Sequence, residues 1–249
     1  MAEFAQPINQ ETSAQAFNRS MLEQLDRVEY RLVTGGEDLE VIYRLRYESF
    51  LQAGMLDRDP SGMLRDRWDD LPNSYRFAAY YDGELMSTIR LHHISRDFPY
   101  APAYDTFPEA LAERVERGET FLDVSRFAAS VNVGPSPLAI PFLTMRLVTV
   151  GGLHFGQTAF LYAIKPEHTA FYRRVFSAKC IAGPKPFPGL VVPRFLYETL
   201  AGENLMRVLA RYPFMSGTRS EQRMLFGHVS GAGVPLTVLP TAKYVREAA

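Results

Sequence analysis

The chain has 249 residues, 47% hydrophobic and 22% charged, with a formal net charge of -1. That composition is ordinary for a soluble globular protein, the length allows a sizeable core, and the near-zero charge gives no global attraction to nucleic acid. A single cysteine, Cys180, excludes an internal disulfide. No apolar run reaches the roughly 20 residues of a membrane span, and the N-terminal residues lack the basic and apolar regions of a secretory signal, so a cytoplasmic location is expected.

Residues 1 to about 14 are small and polar and are expected to be disordered, with a short helix after them through Met21 and Leu25. Residues 30–33 read as a strand closed by Thr34-Gly35-Gly36, and residues 37–53 carry helical spacing that stops at Gly54. Residues 55–74 are charged and loop-like. Residues 76–81 and 84–91 read as two strands about Asp82-Gly83, a pair suited to the positive φ angles of a type I′ turn. A helix near 107–117 and a strand over 121–129 follow. Gly134-Pro135-Ser136-Pro137 breaks the chain before an apolar helix near 141–154. Next come a buried strand at 159–164, a helix opened by Pro166, one or two strands within 178–198, and a helix near 200–211. This order predicts an α/β or α+β sheet protein. Residues 1–26 form a tail and short helix, residues 27–212 the main domain, and residues 213–249 an extension packed on it.

Several motifs resemble those of one enzyme group. Arg44-Leu45-Arg46-Tyr47-Glu48-Ser49-Phe50 resembles the first helix of acyl-homoserine-lactone synthases, Trp68-Asp69-Asp70 falls where those enzymes have paired aspartates, and Thr88-Ile89-Arg90-Leu91 looks like their hairpin arginine. Leu122-Asp123-Val124-Ser125-Arg126-Phe127-Ala128 is similar to their Glu-x-Ser-Arg-Phe strand. Two departures, Gly54-Met55-Leu56 where a tryptophan is usual and Asp123 in place of glutamate, turn the resemblance toward the N-acyl amino acid synthases. Both groups belong to the GNAT acyltransferase superfamily. The resemblance implies the GNAT fold, a central mixed twisted sheet with two splayed parallel strands, here 121–129 and 159–164. It also implies a long-chain acyl transfer from acyl carrier protein to the amine of an amino acid. A lactone-type signal synthase is the alternative, and a non-catalytic domain that binds an acyl ligand or carrier is the alternative of another class.

Making an amide from a thioester requires a base, a stabilised oxyanion and a proton for the leaving thiol. The resemblance offers Asp123 as base, acting directly or through a water; a structural pair with Arg90 or Arg126 is the competing reading. Ser125, Arg126, Phe127 and Ala128 would present backbone groups to the pantetheine and the thioester oxygen. Arg126 is otherwise a buried cation satisfied by Asp69 and Asp70. Arg46, Phe50, Arg90, Asp69 and Asp70 complete the implied substrate-binding set, and Tyr172 would protonate the thiolate. No tightly bound cofactor is implied, only the acyl-phosphopantetheine co-substrate.

Three prolines in Gly134-Pro135-Ser136-Pro137-Leu138-Ala139-Ile140-Pro141 remove amide donors from the place where a coenzyme A pyrophosphate would sit. This favours a carrier protein, which presents a single phosphate. Carrier proteins are acidic, so Arg146, Arg173, Arg174, Lys179 and Lys185 are the expected docking patch, or else an ordinary solvated face. No metal is expected. His92 and His93 point to opposite faces of a strand, and His154, His168 and His228 have no ligand at metal spacing.

Overall fold

The computed structural model describes residues 11–227 and 236–245. His228 and the first ten residues lie outside that range. The chain forms one eight-stranded sheet of order β6-β7-β5-β4-β3-β2-β1-β8. Its strands are β1 (Val28–Leu32), β2 (Ser74–Tyr81), β3 (Glu84–Ile94), β4 (Phe121–Ala129), β5 (Ala159–Ile164), β6 (Lys179–Lys185), β7 (Arg194–Leu200) and β8 (Thr237–Val238). Asp82 and Gly83, at φ 50° and 81°, make the expected tight turn between β2 and β3.

Among the described residues only β4 and β5 pair in parallel. The helix α5 (Ile140–Phe155) connects them, because a parallel pair needs a crossover rather than a hairpin. Its C-cap Gly156 takes the left-handed conformation, φ 61°. Strand alternation sorts β4 onto two faces. Leu122 and Val124 join the large core under α5, α6 (Thr169–Phe176), α7 (Glu203–Arg211) and α8 (Arg219–Phe226). Phe121 joins a smaller core under α3 (Pro102–Thr106) and α4 (Pro108–Glu116). α2 (Glu37–Gln52), with three acids in its first turn facing the positive end of the helix dipole, packs across the open ends of β3 and β4. α1 (Ser13–Leu25) begins with a Thr12–Gln15 capping box.

Several elements were not legible in the sequence, α3 and the Arg67–Asp70 turn among them. α3 is only five residues long, too short to show a period, and Arg67–Asp70 forms a 3-10 turn inside the expected loop. The C-terminal segment does more than pack on the domain. β8 extends the sheet by pairing with β1, and α8 lies against α5.

Arg146, expected in a docking patch, is fully buried on α5. Its Nη2 donates to Glu221 at 2.8 Å, and its Nη1 makes a second, short bond to the same carboxylate. The apolar helix turns inward along nearly its whole length, and Arg146 turns inward with it. Lys185 is engaged as well, with Nζ 2.7 Å from Glu109.

Candidate active site

β4 and β5 pair only from Phe121↔Ala159 to Val124↔Tyr162. Beyond that point β4 stays on β3 and β5 stays on β7, so the two strands part. A β-bulge accompanies the divergence. Between the pairs Arg90↔Ser125 and Thr88↔Ala128, two residues of β4, Arg126 and Phe127, oppose only Ile89. Arg126 has φ 54°, a conformation costing an ordinary side chain on the order of 1–3 kcal/mol. Bulges add twist and re-aim backbone groups. The result is a wedge-shaped cleft between the two strands. One wall holds Val124 to Phe127, the other Ala163 to Lys165, and Phe50, Met55, His168, Tyr172, Phe187, Leu190 and Arg194 close it. The loop over the cleft is tied down by the Val191 N–H donating to the Met55 carbonyl at 3.0 Å.

A buried charge cluster under β4 holds the bulge. Arg126 donates to Asp66 Oδ2 from Nη2 at 2.6 Å and from Nε at 3.0 Å. Arg90 Nη1 lies 2.5 Å from Asp66 Oδ1 and 3.0 Å from Asp69 Oδ1, while Arg46 Nη1 reaches Asp69 Oδ1 at 2.8 Å. Arg90 Nε also donates to Ser125 Oγ at 3.2 Å. Both aspartates cap the 3-10 turn, which fixes their direction: Asp66 Oδ1 accepts from the Trp68 N–H, and Asp69 Oδ2 accepts from the Asp66 N–H. Burial alone would raise the carboxyl pKa values, but the guanidiniums of Arg90 and Arg126 hold Asp66 well below the usual carboxylate range, and those of Arg46 and Arg90 do the same for Asp69. Desolvation, with Arg90 and Arg126 nearby, pulls Arg46 down to about 10.

The partner set differs from the one read in the sequence. Arg126 is paired by Asp66, not by Asp69 and Asp70. Asp70 is exposed, and its carboxylate lies 2.6 Å from Arg65. The acids sit three apart because a 3-10 turn puts i and i+3 on one side; adjacent Asp69 and Asp70 point apart. Asp66 was hidden among the charges of a segment that looked like plain loop.

Asp123 is 1% exposed and lies behind the cleft wall. Its Oδ2 accepts from the Ala103 N–H at 3.1 Å, and its Oδ1 has no partner. It bonds neither Arg90 nor Arg126, which removes the competing structural pairing. It is not among the residues lining the cleft. Desolvation pushes its pKa up to about 6, against the opposing pull of the Ala103 N–H and of Arg90. Ionising it therefore costs the folded state stability. The contribution of the protonated form is complete below about pH 4 and is lost as pH rises through about 6. Asp123→Asn should flatten this dependence and stabilise the protein at pH 7.5 by up to about 3 kcal/mol, read from urea midpoints at pH 5 and pH 7.5. A variant as pH-sensitive as the parent would contradict the assignment.

Tyr172, on α6, lines the cleft and packs on Tyr162 with ring centroids 4.8 Å apart. Burial raises its pKa, so it stays protonated. Ser125, Arg126, Phe127 and Phe50 line the cleft together. Ala128 sits just beyond it on the same strand, packed on Phe50 and Met55. Arg46 and Arg90 support the bulge from behind. Lys165, His168 and Arg194 also line the cleft, unread in the sequence because the Lys165–His168 turn and the start of β7 are distant along the chain. Among the described residues no group of three or more His, Cys, Asp or Glu could hold a metal, and no helix is long and apolar enough to cross a membrane.

Comparison with known proteins places this arrangement. The family model for the N-acyl amino acid synthase FeeM matches residues 41–199. The solved structure of FeeM, an N-acyl amino acid synthase from uncultured soil microbes, is similar at 18% identity with a TM-score of 0.61, covering 74% of this chain and 97% of that one. TofI, solved with an inhibitor and MTA, is similar at 17% identity and a TM-score of 0.54, covering 74% and 96%. The coenzyme A-dependent acyl-homoserine-lactone synthase BjaI follows at 16% identity and a TM-score of 0.50, covering 71% and 82%. No curated protein sequence matches the chain. The fold is that of the GNAT acyltransferases, and, with 159 consecutive residues spanning the cleft under one family description, the chain belongs to the FeeM family of N-acyl amino acid synthases.

Proposed function

We propose that the protein transfers a long-chain fatty acyl group from the phosphopantetheine thioester of an acyl carrier protein to the amine of an amino acid. The observation that carries this reading is the parted seam between residues 125–129 and 163–164. A pantetheine arm entering there meets unpaired strand edges, as a further strand would. The amine attacks the thioester carbonyl, its proton leaves through a relay to Asp123, and the oxyanion faces the backbone at the Arg126–Phe127 bulge. The C–S bond then breaks, and Tyr172 protonates the departing thiolate. No tightly bound cofactor takes part.

The loop before α5 favours the carrier over coenzyme A. The Ala139 N–H already donates to the Ser136 carbonyl at 3.0 Å, and the Ile140 N–H does so at 3.2 Å. With the prolines, few amides remain for a pyrophosphate. Arg173 and Arg174, at the exposed end of α6, and Lys179 just after it form no ion pair among the described residues. They suit an acidic carrier docked beside the cleft, and a cytoplasmic setting is part of the same proposal.

Incubation with acyl carrier protein or coenzyme A thioesters and single amino acids, read by mass spectrometry, tests the reading. The expected product is an N-acyl amino acid, formed faster from the carrier thioester. Thiol release without amide, or a lactone from S-adenosylmethionine, would overturn it. Tyr172→Phe should lower kcat about 100-fold with the donor KM unchanged, and an unchanged kcat would remove Tyr172 from the mechanism.

A further inference from the structure

Five arginines are buried among the described residues. Four hold carboxylates: Arg46 holds Asp69, Arg90 and Arg126 hold Asp66, and Arg146 holds Glu221. The fifth, Arg194, holds none. It is 4% exposed, stands at the start of β7, and lines the cleft. Its Nη1 donates to the Val192 carbonyl at 3.0 Å, and its Nη2 contacts the thioether sulfur of Met55 at 3.1 Å. Glu167 acts on it from beyond ion-pair distance, and burial holds the guanidinium below its ordinary pKa. Lys165 and His168 line the same wall, and His168 feels both Lys165 and Arg194. A buried cation is stable only when paired. A thioether is a weak acceptor, so this guanidinium meets its strong partner only when an anion enters the cleft.

We infer that Arg194 receives the carboxylate of the acceptor amino acid, its planar N–H groups pairing with the two oxygens and displacing Met55 from Nη2. This rests on the acyl-transfer reading above and makes Arg194 the residue that selects an acid over an uncharged amine. The position fits the acceptor better than the donor's phosphate. Arg194 stands with Met55, Phe187 and Leu190 under the 186–193 loop, whereas the depression beside the N-terminus of α5 is lined by residues 129–137 and meets the cleft only at Phe127. A guanidinium matches a carboxylate two bonds at a time.

The test uses matched acceptors, an amino acid and its primary carboxamide, with one acyl thioester. In the parent the acid should be preferred in kcat/KM. Arg194→Gln should raise KM for the acid by about 10- to 100-fold, leave KM for the carboxamide and for the donor unchanged, and so erase the preference. Arg194→Lys, which keeps the charge but not the fork, should restore part of it. An acid-over-amide preference that survives in Arg194→Gln would overturn the inference while leaving the acyl-transfer reading standing. So would an equal loss for both acceptors, the mark of a merely structural role, or a rise in donor KM, the mark of a phosphate contact. A parent enzyme that forms no amide with any amine would overturn the reading of function itself, and the inference with it.

Discussion

Asp66→Asn should lower the stability of the protein by about 3–5 kcal/mol, because it leaves Arg90 and Arg126 buried without the carboxylate they share. That is a large part of the 5–15 kcal/mol typical of a folded domain. Asparagine can still cap the 3-10 turn through its side-chain oxygen, so the loss reports the charge and not the cap. Activity should fall further than stability does. Arg126 has a positive φ within the bulge, and its grip on Asp66 offsets that strain. Once released, the bulge can relax and the backbone at Phe127 turns away from the cleft. Adding Arg126→Gln to Asp66→Asn removes one stranded cation and should recover part of the stability but none of the activity. Urea unfolding of the two single variants and the double variant gives the coupling, expected between about 0.5 and 3 kcal/mol. Additive losses would show that the two side chains do not share one interaction.

Glu221→Leu should cost a similar amount, about 3–5 kcal/mol, far from the cleft. Glu221 accepts from Arg146 and also from the Thr241 N–H at 2.9 Å and the Thr241 hydroxyl at 2.6 Å. Arg146 in turn holds the Phe214 carbonyl at 2.9 Å and the Ser216 carbonyl at 2.5 Å. One buried pair thus fastens α5, α8, the turn at residues 213–216 and the segment leading past β8. The single variant should lose amide-exchange protection first in α8 and β8, ahead of the central strands. The pair Arg146→Met with Glu221→Leu, which buries no orphaned charge, should recover most of the stability in denaturant melts. A single variant as stable as the parent would show that Arg146 is not left buried as an uncompensated charge, and would contradict the pair's role as a fastener.

The sequence made the sheet legible and blurred the charges. The β2–β3 hairpin was readable from Asp82-Gly83, β4 from its alternation and β5 from its short apolar run, because each signal is local. The Ser-Arg-Phe strand gave the bulge a location, although its positive φ at Arg126 leaves no mark in a sequence. Asp66 and Arg194 escaped notice for one reason. Each acts on a group more than 20 residues away, and such partnerships follow from the closing of the sheet and not from spacing along the chain. Arg146 failed in the opposite sense: an arginine on a helix suggests an exposed face, yet Glu221, 75 residues later, carries it into the core. Asp123 was singled out by its motif, but its depth behind the wall depends on α3, which is too short to predict.

Acyl transfer in this cleft requires a pantetheine arm to lie where β4 and β5 part. A crystal structure with a non-hydrolysable acyl-pantetheine analogue would test this most directly. The arm should run between Ser125–Ala128 on one side and Ala163–Lys165 on the other, bonded to main-chain groups and with its carbonyl against the Arg126–Phe127 bulge. An analogue bound elsewhere on the surface, with the two strands closed upon each other beyond Val124 and Tyr162, would contradict it.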